Sequence, residues 1–404
     1  MKKTLIAFAA LSAIAGMAQA QSTVTLYGLL DANVGSAKNN VFRPSLLGAA
    51  NQNGVYSSQR QTMVGSGGLN GSRFGFRITE DLGGGLAAIG NLESGLSIDT
   101  GASSSAASLF NRQANVGLAS ASLGTATIGR NKSPYYDVHG SVGLRETAFD
   151  ATSNTNFGTA AQYNPANAAG AAYLLSNHGA TAGSTPNAAT WLGFNARVSN
   201  SIRYTSPNFS GFSVSGLYGF GEDKGINQKA SETYGGTAQY ANGPIMAYLG
   251  YQSDGYARVA GVARQSLENM LVGASYDFGV AKVGANYNRA KLKNVTATGF
   301  LNGTGVAGGS IDPQKEYGVS VSAPFGATVV EANYGQSKGK TLGKASAYGV
   351  QALYSLSKRT TLYTGYSSTK TYDRLAQLTV NSQAGSGSTI GRNSFFGAGV
   401  RHTF

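Results

Sequence analysis

Cysteine is absent from the 404 residues, and tryptophan occurs once. The first absence excludes a disulfide framework and any cysteine-ligated metal site. Charge is also scarce, at 12 % of the chain. Apart from a short stretch at Leu5 to Ala15 there is no long apolar run, and that stretch is too short to cross a bilayer as a helix. Proline-rich joints, charge blocks and shifts in composition between halves are missing too. Length alone would suggest two domains, yet nothing marks a boundary, so one large closed structure is expected.

What is present is glycine (57), tyrosine (22) and phenylalanine (17), with a net charge of +13. A basic surplus invites a nucleic-acid reading. The Lys and Arg are dispersed, however, with no basic helix and no binding motif, so no nucleic-acid partner is expected. A surplus lining a cavity would attract anions instead.

Both ends carry information. Lys2 and Lys3, the apolar stretch and Ala18-Gln19-Ala20 form the pattern of a cleaved export signal. Residues 1–20 are expected to be removed, leaving 21–404 as one domain. The other end is Gly399-Val-Arg-His-Thr-Phe404, an alternating ribbon that closes on an aromatic.

Between the ends the dominant signal is period 2. Phe74, Phe76 and Ile78 alternate with Arg73, Gly75 and Arg77; Ala281, Val283, Ala285 and Tyr287 alternate with Lys282, Gly284, Asn286 and Asn288. One apolar face per ribbon is the mark of a half-buried strand. Seven tight turn signals recur, among them Asp81-Leu-Gly-Gly-Gly85, Ala241-Asn-Gly-Pro244 and Ala323-Pro-Phe-Gly326. Eight longer polar connections alternate with them, near 36–70, 98–109, 134–194, 222–232, 255–266, 292–313, 338–343 and 371–392. Fifteen connections join sixteen strands. Short turns alternating with long loops, on an exported chain, is the layout of a transmembrane antiparallel β-barrel of the bacterial outer membrane. Lipid cannot satisfy an open sheet edge, so the first strand (near Val24 to Val34) must meet the last (near Phe395 to Phe404). A sixteen-stranded bore is too wide for side chains to fill and holds water.

Several stretches together resemble one family: Val24-Thr-Leu-Tyr-Gly28, Gly71 to Leu86, Asn91-Leu-Glu-Ser-Gly95, Asn111 to Leu118, Leu123 to Arg130 and the closing ribbon. They are similar to the Gram-negative general porins, in the branch found in Burkholderia- and Bordetella-like bacteria. The resemblance implies a homotrimer in contact with outer-membrane lipid and lipopolysaccharide, with one water-filled pore per subunit for small hydrophilic solutes and anions. It implies that the third long connection, Pro134 to Phe194, folds into the lumen and narrows it. It implies arginines on the wall facing acids on that loop, and a role for Phe404 as assembly signal.

Facing selects the wall residues. Arg73 and Arg77 oppose Phe74 and Phe76; Arg197 and Arg203 share one face with Ser199 and Ser201; Glu93 and Asn91 oppose Leu92. Arg112 and Arg130 match the family's arginines by position, but alternation puts them with Val116, Leu118, Ala126 and Ile128. A β-bulge, or a subunit contact on the outer face, would reconcile the two. The loop acids are Asp137, Glu146 and Asp150, and sequence does not choose among them. With more cation than acid the pore should prefer anions.

Rival readings are an enzyme or a solute-specific channel. His139, His178 and His402 lack any pairing with a reactive serine, and no phosphate loop, cofactor motif or metal motif occurs. An aromatic path along the lumen would mark a specific channel. The tyrosines instead scatter toward strand ends, as in interfacial girdles.

Overall fold

In the computed structural model the described residues are 22–43, 55–105, 108–141, 194–222, 224, 228–255, 258–259, 266–294, 312–341, 343–370, 388–389 and 392–404. Residues 1–20, expected to be an export signal, together with Glu146, Asp150, His178 and most of the 134–194 connection, lie outside them.

Sixteen strands form the wall: β1 (Thr23–Arg43), β2 (Val55–Ser66, resuming as Arg73–Gly83), β3 (Leu86–Ser97), β4 (Gln113–Ser120), β5 (Gly124–Lys132), β6 (Arg197–Thr205), β7 (Phe212–Phe220) and β8 (Glu232–Asn242). They continue as β9 (Ile245–Gly255), β10 (Ser266–Asp277), β11 (Lys282–Lys293), β12 (Gln314–Phe325), β13 (Thr328–Gly339), β14 (Gly343–Ser355), β15 (Thr360–Lys370) and β16 (Arg392–Thr403). One short helix, α1 (Pro134–His139), follows β5. Each strand pairs antiparallel with the next. The cylinder closes where Leu29 to Lys38 of β1 meet Ser394 to Thr403 of β16. All seven predicted tight turns fall between strands at one end.

The alternation is inverted relative to a soluble protein. Val24 is 65 % exposed, Leu26 56 %, Val272 48 % and Val319 51 %, whereas Asp31, Asn269 and Gln314 are 0 % exposed. Apolar side chains point outward to lipid, and polar ones line the bore.

Two connections differ from expectation. The segment 36–70 is mostly strand, because β1 runs to Arg43 and β2 starts at Val55. A hydrocarbon core needs only about 9–11 tilted residues, and β1 alone runs for 21, so it extends well beyond that thickness. The connection at 338–343 is tight, since β13 ends at Gly339 and β14 begins at Gly343.

β2 is broken at Gly67 to Ser72, and the break folds inward. The Asp31 carboxylate accepts the backbone N–H groups of Gly68 (2.9 Å), Leu69 (2.8 Å) and Asn70 (2.9 Å), and the Tyr363 hydroxyl. Leu69 then packs on Ala37, Tyr363 and Phe395 inside the wall. Arg401 donates to Asn70 Oδ1 at 2.8 Å. A buried carboxylate needs such donors to offset its lost hydration. The run Gly65-Ser-Gly-Gly-Leu-Asn-Gly71 supplies a chain supple enough to bend back.

Candidate functional site

The lumenal surface of β2 to β6 gathers the predicted arginines around two carboxylates. β1 to β4 supply the first group. In register, Tyr27 opposes Gly75, and Gly75 opposes Glu93, which sets all three on the inner face. Glu93 Oε1 takes the Arg112 Nε–H at 2.7 Å, and Arg73 Nε lies 3.5 Å from Glu93 Oε2. The Tyr27 hydroxyl donates within reach of Glu93 Oε2 (3.0 Å) and Asn91 Oδ1 (2.9 Å). Arg77 lies over the Tyr27 ring at 4.2 Å, a cation–π contact that leaves the charge facing water. Arg73 Nη1 also donates to the Gly71 carbonyl (3.1 Å), so the inward break of β2 steadies it.

Arg112 reaches Glu93 because β4 starts at Gln113. The residue precedes the strand, and alternation does not govern it. Neither a bulge nor a subunit contact is needed there.

Arg130 is the case in which a bulge operates. The β5–β6 register slips between Gly129 and Asn131. Gly129 has φ 123°, and a Cβ there would stand 2.4 Å from the Ala114 carbonyl oxygen. Only glycine tolerates both. The slip turns Arg130 so that Nε donates to the Asn111 carbonyl (2.7 Å) and Nη1 to Ser199 Oγ (2.7 Å).

The second carboxylate comes from α1. Ser133 caps the helix by accepting the Tyr136 N–H, and Pro134 begins it, the usual residue types for those positions. Asp137 then bonds Lys132 Nζ (2.6 Å) through Oδ1 and Arg203 Nη2 (2.6 Å) through Oδ2. Arg203 Nη1 also donates to the Lys132 carbonyl (2.9 Å). Arg197 stacks on Tyr136 with 5.1 Å to the ring centre. Burial raises the Asp137 carboxyl, but the two cations outweigh it and hold it below the ordinary aspartate range.

α1 lies inside the barrel, against β7, β8 and β9. Tyr135, Tyr136, Val138 and Phe194 pack with the inward Tyr248 and Leu271. Tyr135 donates to Asn288 Oδ1 (2.8 Å), and Asp254 Oδ2 accepts the Asn195 N–H (2.9 Å). Both described ends of the long connection are thus fastened to the inner wall. That wall differs in chemistry: Asp254, Glu316, Glu331, Gln252, Gln314 and Asn288 line it. Asn288 Nδ2 donates to Glu316 Oε2 at 2.7 Å.

Of the sequence candidates, Arg73, Arg77, Glu93, Arg112, Arg130, Asp137, Arg197 and Arg203 all fall in this region. Lys132 was not anticipated; its signal was its place just ahead of Ser133-Pro134, where strand gives way to helix. Tyr27 was missed because a tyrosine in a strand reads equally well as a girdle residue. Of the tyrosines scattered along the sequence, Tyr317 (46 % exposed), Tyr334 (42 %) and Tyr348 (43 %) face outward, while Tyr248 and Tyr363 are buried inward. His139 sits in the aromatic cluster 4.9 Å from the Phe194 ring, its Nδ1 2.6 Å from the Tyr136 carbonyl. His402 pairs with Thr360 Oγ1 (2.9 Å) at the turn end. Phe404 exchanges both backbone hydrogen bonds with Gly28 (3.1 Å each). Its ring occupies the space a Cβ at Gly28 would need.

Residues 7–374 match the family model described as Gram-negative porin. An outer membrane porin protein of Bordetella pertussis is 30 % identical, with 100 % of both chains covered. Outer membrane porin protein 32 of Delftia acidovorans is 32 % identical over 90 % of this chain and 88 % of its own length. Among solved structures, an anion-selective porin from Comamonas acidovorans superposes with TM-score 0.67 at 27 % identity, covering 95 % of this chain and 100 % of that one.

Proposed function

This chain belongs to the Gram-negative porin family, and from that premise we propose that the charges on β2 to β6 form the constriction of its pore and make it prefer anions. The protein is an outer-membrane general diffusion porin, a channel and not an enzyme.

The observation carrying the preference is the charge count at the Glu93 and Asp137 sites. Arg73, Arg77, Arg112, Arg130, Lys132, Arg197 and Arg203 stand with two carboxylates, a net of +5. Guanidinium stays charged and is weakly hydrated, so it exchanges phosphate and carboxylate groups readily. A ring of one sign sets ion preference. The anion selectivity named for the Comamonas porin supports the same assignment. The long connection 134–194 is the constriction loop in this reading, and among its acids Asp137, Glu146 and Asp150, Asp137 is the described one and bonds Lys132 and Arg203. Residues 1–20 are the cleaved export signal.

We also infer a homotrimer joined through β1 to β5. Every exposed large hydrophobic between Thr23 and Lys132 is aliphatic among the described residues, including Val24, Val34, Val116, Leu118 and Ile128. From Ile202 onward the same class includes Tyr204, Phe212, Tyr276, Tyr317, Phe325, Tyr334, Tyr348 and Phe396. Aromatic girdles mark surfaces that cross the lipid–water boundary. A face without one suits contact with another subunit. Phe404, closing β16 onto β1, is the assembly signal on the edge of that face.

Liposome swelling tests the reading. Vesicles holding the purified protein should admit small neutral sugars, and small organic anions faster than cations of equal size. Impermeable vesicles would refute the pore.

A further inference from the structure

The break of β2 is an oversized bulge. Across the ladder between β1 and β2, Ala32 pairs with Ser66 and Leu29 pairs with Arg73. Between those pairs β1 holds only Leu30 and Asp31, whereas β2 holds everything from Gly67 to Ser72. Both feet of this excursion stand on Asp31. Its carbonyl accepts the Gly67 N–H (2.8 Å) and the Ser72 hydroxyl (3.1 Å), and its own N–H donates to Ser72 Oγ (3.0 Å). Gly67 turns the chain inward with φ 84°, a conformation that suits glycine.

The excursion leans on the inner faces of β1, β15 and β16 through Ala37, Tyr363 and Phe395. α1 leans on β7, β8 and β9. In a closed ring of sixteen strands, β8 and β16 are half a circumference apart. The excursion and α1 therefore enter the bore from opposite sides.

The tip of the excursion meets charge on both flanks. Asn70 Oδ1 accepts Arg401 Nη1 (2.8 Å), and the Gly71 carbonyl accepts Arg73 Nη1 (3.1 Å). Arg112 Nη1 lies 3.3 Å from where a Cβ at Gly71 would stand. Arg401 belongs to neither the Glu93 group nor the Asp137 group. It stands directly opposite Asp31 across the closing ladder, yet it bonds the neutral acceptors Asn70 Oδ1 and Thr361 Oγ1 (3.2 Å). The Asp31 carboxylate is taken up by three backbone N–H groups and the Tyr363 hydroxyl. Asp31 is 0 % exposed and Arg401 is half-buried, so the cation, not the acid, meets the water of the bore. A simple fastening of the seam needs Asp31 and Leu69. It does not need Asn70, whose side chain points the other way in function: it positions a guanidinium. Bulges beside functional sites serve to re-aim side chains in this manner.

We propose that Gly67 to Ser72 is a second constriction element, facing α1 across the bore, and that Asn70 and Arg401 are specificity-determining residues on that side. Arg401 offers passing carboxylate, phosphate or halide ions a cation half a turn away from α1, and Asn70 holds it in place. The proposal rests on the reading of this barrel as an anion-preferring pore.

The chain has no cysteine, so Asn70→Cys carries a unique thiol for a test in planar bilayers. An anionic methanethiosulfonate reagent should cut its single-channel current in discrete, irreversible steps and leave the parent untouched. Arg401→Gln should lower the chloride-to-potassium permeability ratio roughly twofold, the effect of one unit charge felt through water at about 10 Å. Asn70→Asp makes the same change in charge without altering the closing strand, and serves if Arg401→Gln assembles poorly. Lys315→Gln, exposed on the outer face in line with Tyr317, should keep the parent's ratio. A conducting Asn70→Cys pore whose current ignores the reagent would overturn the proposal and leave the pore reading standing. So would an unchanged permeability ratio in Arg401→Gln or Asn70→Asp. A parent that conducts nothing would overturn both.

Discussion

The inner walls of β2–β6 and β9–β13 are made from the same alternating ribbon, and they differ in how their charges are held. On β2–β6, guanidinium groups outnumber acids. Two of those cations, Arg77 and Arg197, rest on tyrosine rings. On β9–β13, Asp254 and Glu316 are 3 % and 4 % exposed and are bonded to amides. Amides satisfy a carboxylate without cancelling its charge, but burial removes it from the water path. One wall carries the excess of cations, and the other anchors α1. The packed helix meets the two walls differently: Tyr135, Val138 and Phe194 lie over β8–β11, while Tyr136 and Asp137 face Arg197 and Arg203.

The largest expected effect breaks the comparison from the cationic side. Arg73→Glu with Arg197→Glu changes the local balance by −4, from +5 to +1. Bi-ionic potentials should then lose most of the anion preference. An unchanged potential would remove both residues from the constriction.

Deleting Phe404 should come next. It removes two backbone bonds to Gly28 and the ring filling that site, and trimer yield on unheated gels should drop several-fold. Normal yield would count against its assembly role.

Glu316→Gln sharpens the comparison from the opposite wall. One negative charge is lost, yet its neighbour Asn288 keeps an acceptor, so selectivity should shift far less than for Asp137→Asn. The latter frees Lys132 and Arg203 in the water path and should strengthen anion preference. Equal shifts would mean that the buried carboxylates also face the solute.

The smallest effect is with pH. Because the Asp137 pKa is depressed below 3.8 in the folded protein, its ion pairs contribute stability above the unfolded value. That contribution is lost only as pH falls through the lower folded value. Selectivity should therefore hold from pH 7 to about 4 as far as Asp137 governs it, and anion preference should rise below that. A rise centred near pH 6 would require a different group.

Strand number, closure and the inner facing of Arg73, Arg77, Glu93, Arg197 and Arg203 were legible because lipid and water enforce strict alternation wherever the ribbon crosses the hydrocarbon. Legibility failed where that contrast stops. Ser36 to Arg43 and Val55 to Ser66 read as loop because polar residues such as Lys38-Asn39-Asn40 and Ser57-Ser58-Gln59-Arg60 follow one another without an apolar alternation. Arg112 defied parity because the strand begins one residue later, and Arg130 because Gly129 admits a bulge. The inward fold at Gly67 to Ser72 depends on Asp31 and Tyr363, which lie 332 positions apart; no local pattern reveals such a pair. Lys132 was hidden at a strand-to-helix junction, where neither period applies.

The reversal potential of the purified protein in a planar bilayer, across a tenfold gradient of potassium chloride, tests the central claim most directly. An electropositive bore predicts chloride favoured over potassium at low salt. The preference should weaken in molar salt, where the screening length falls from about 8 Å to about 3 Å. Potassium favoured at low salt would contradict the account.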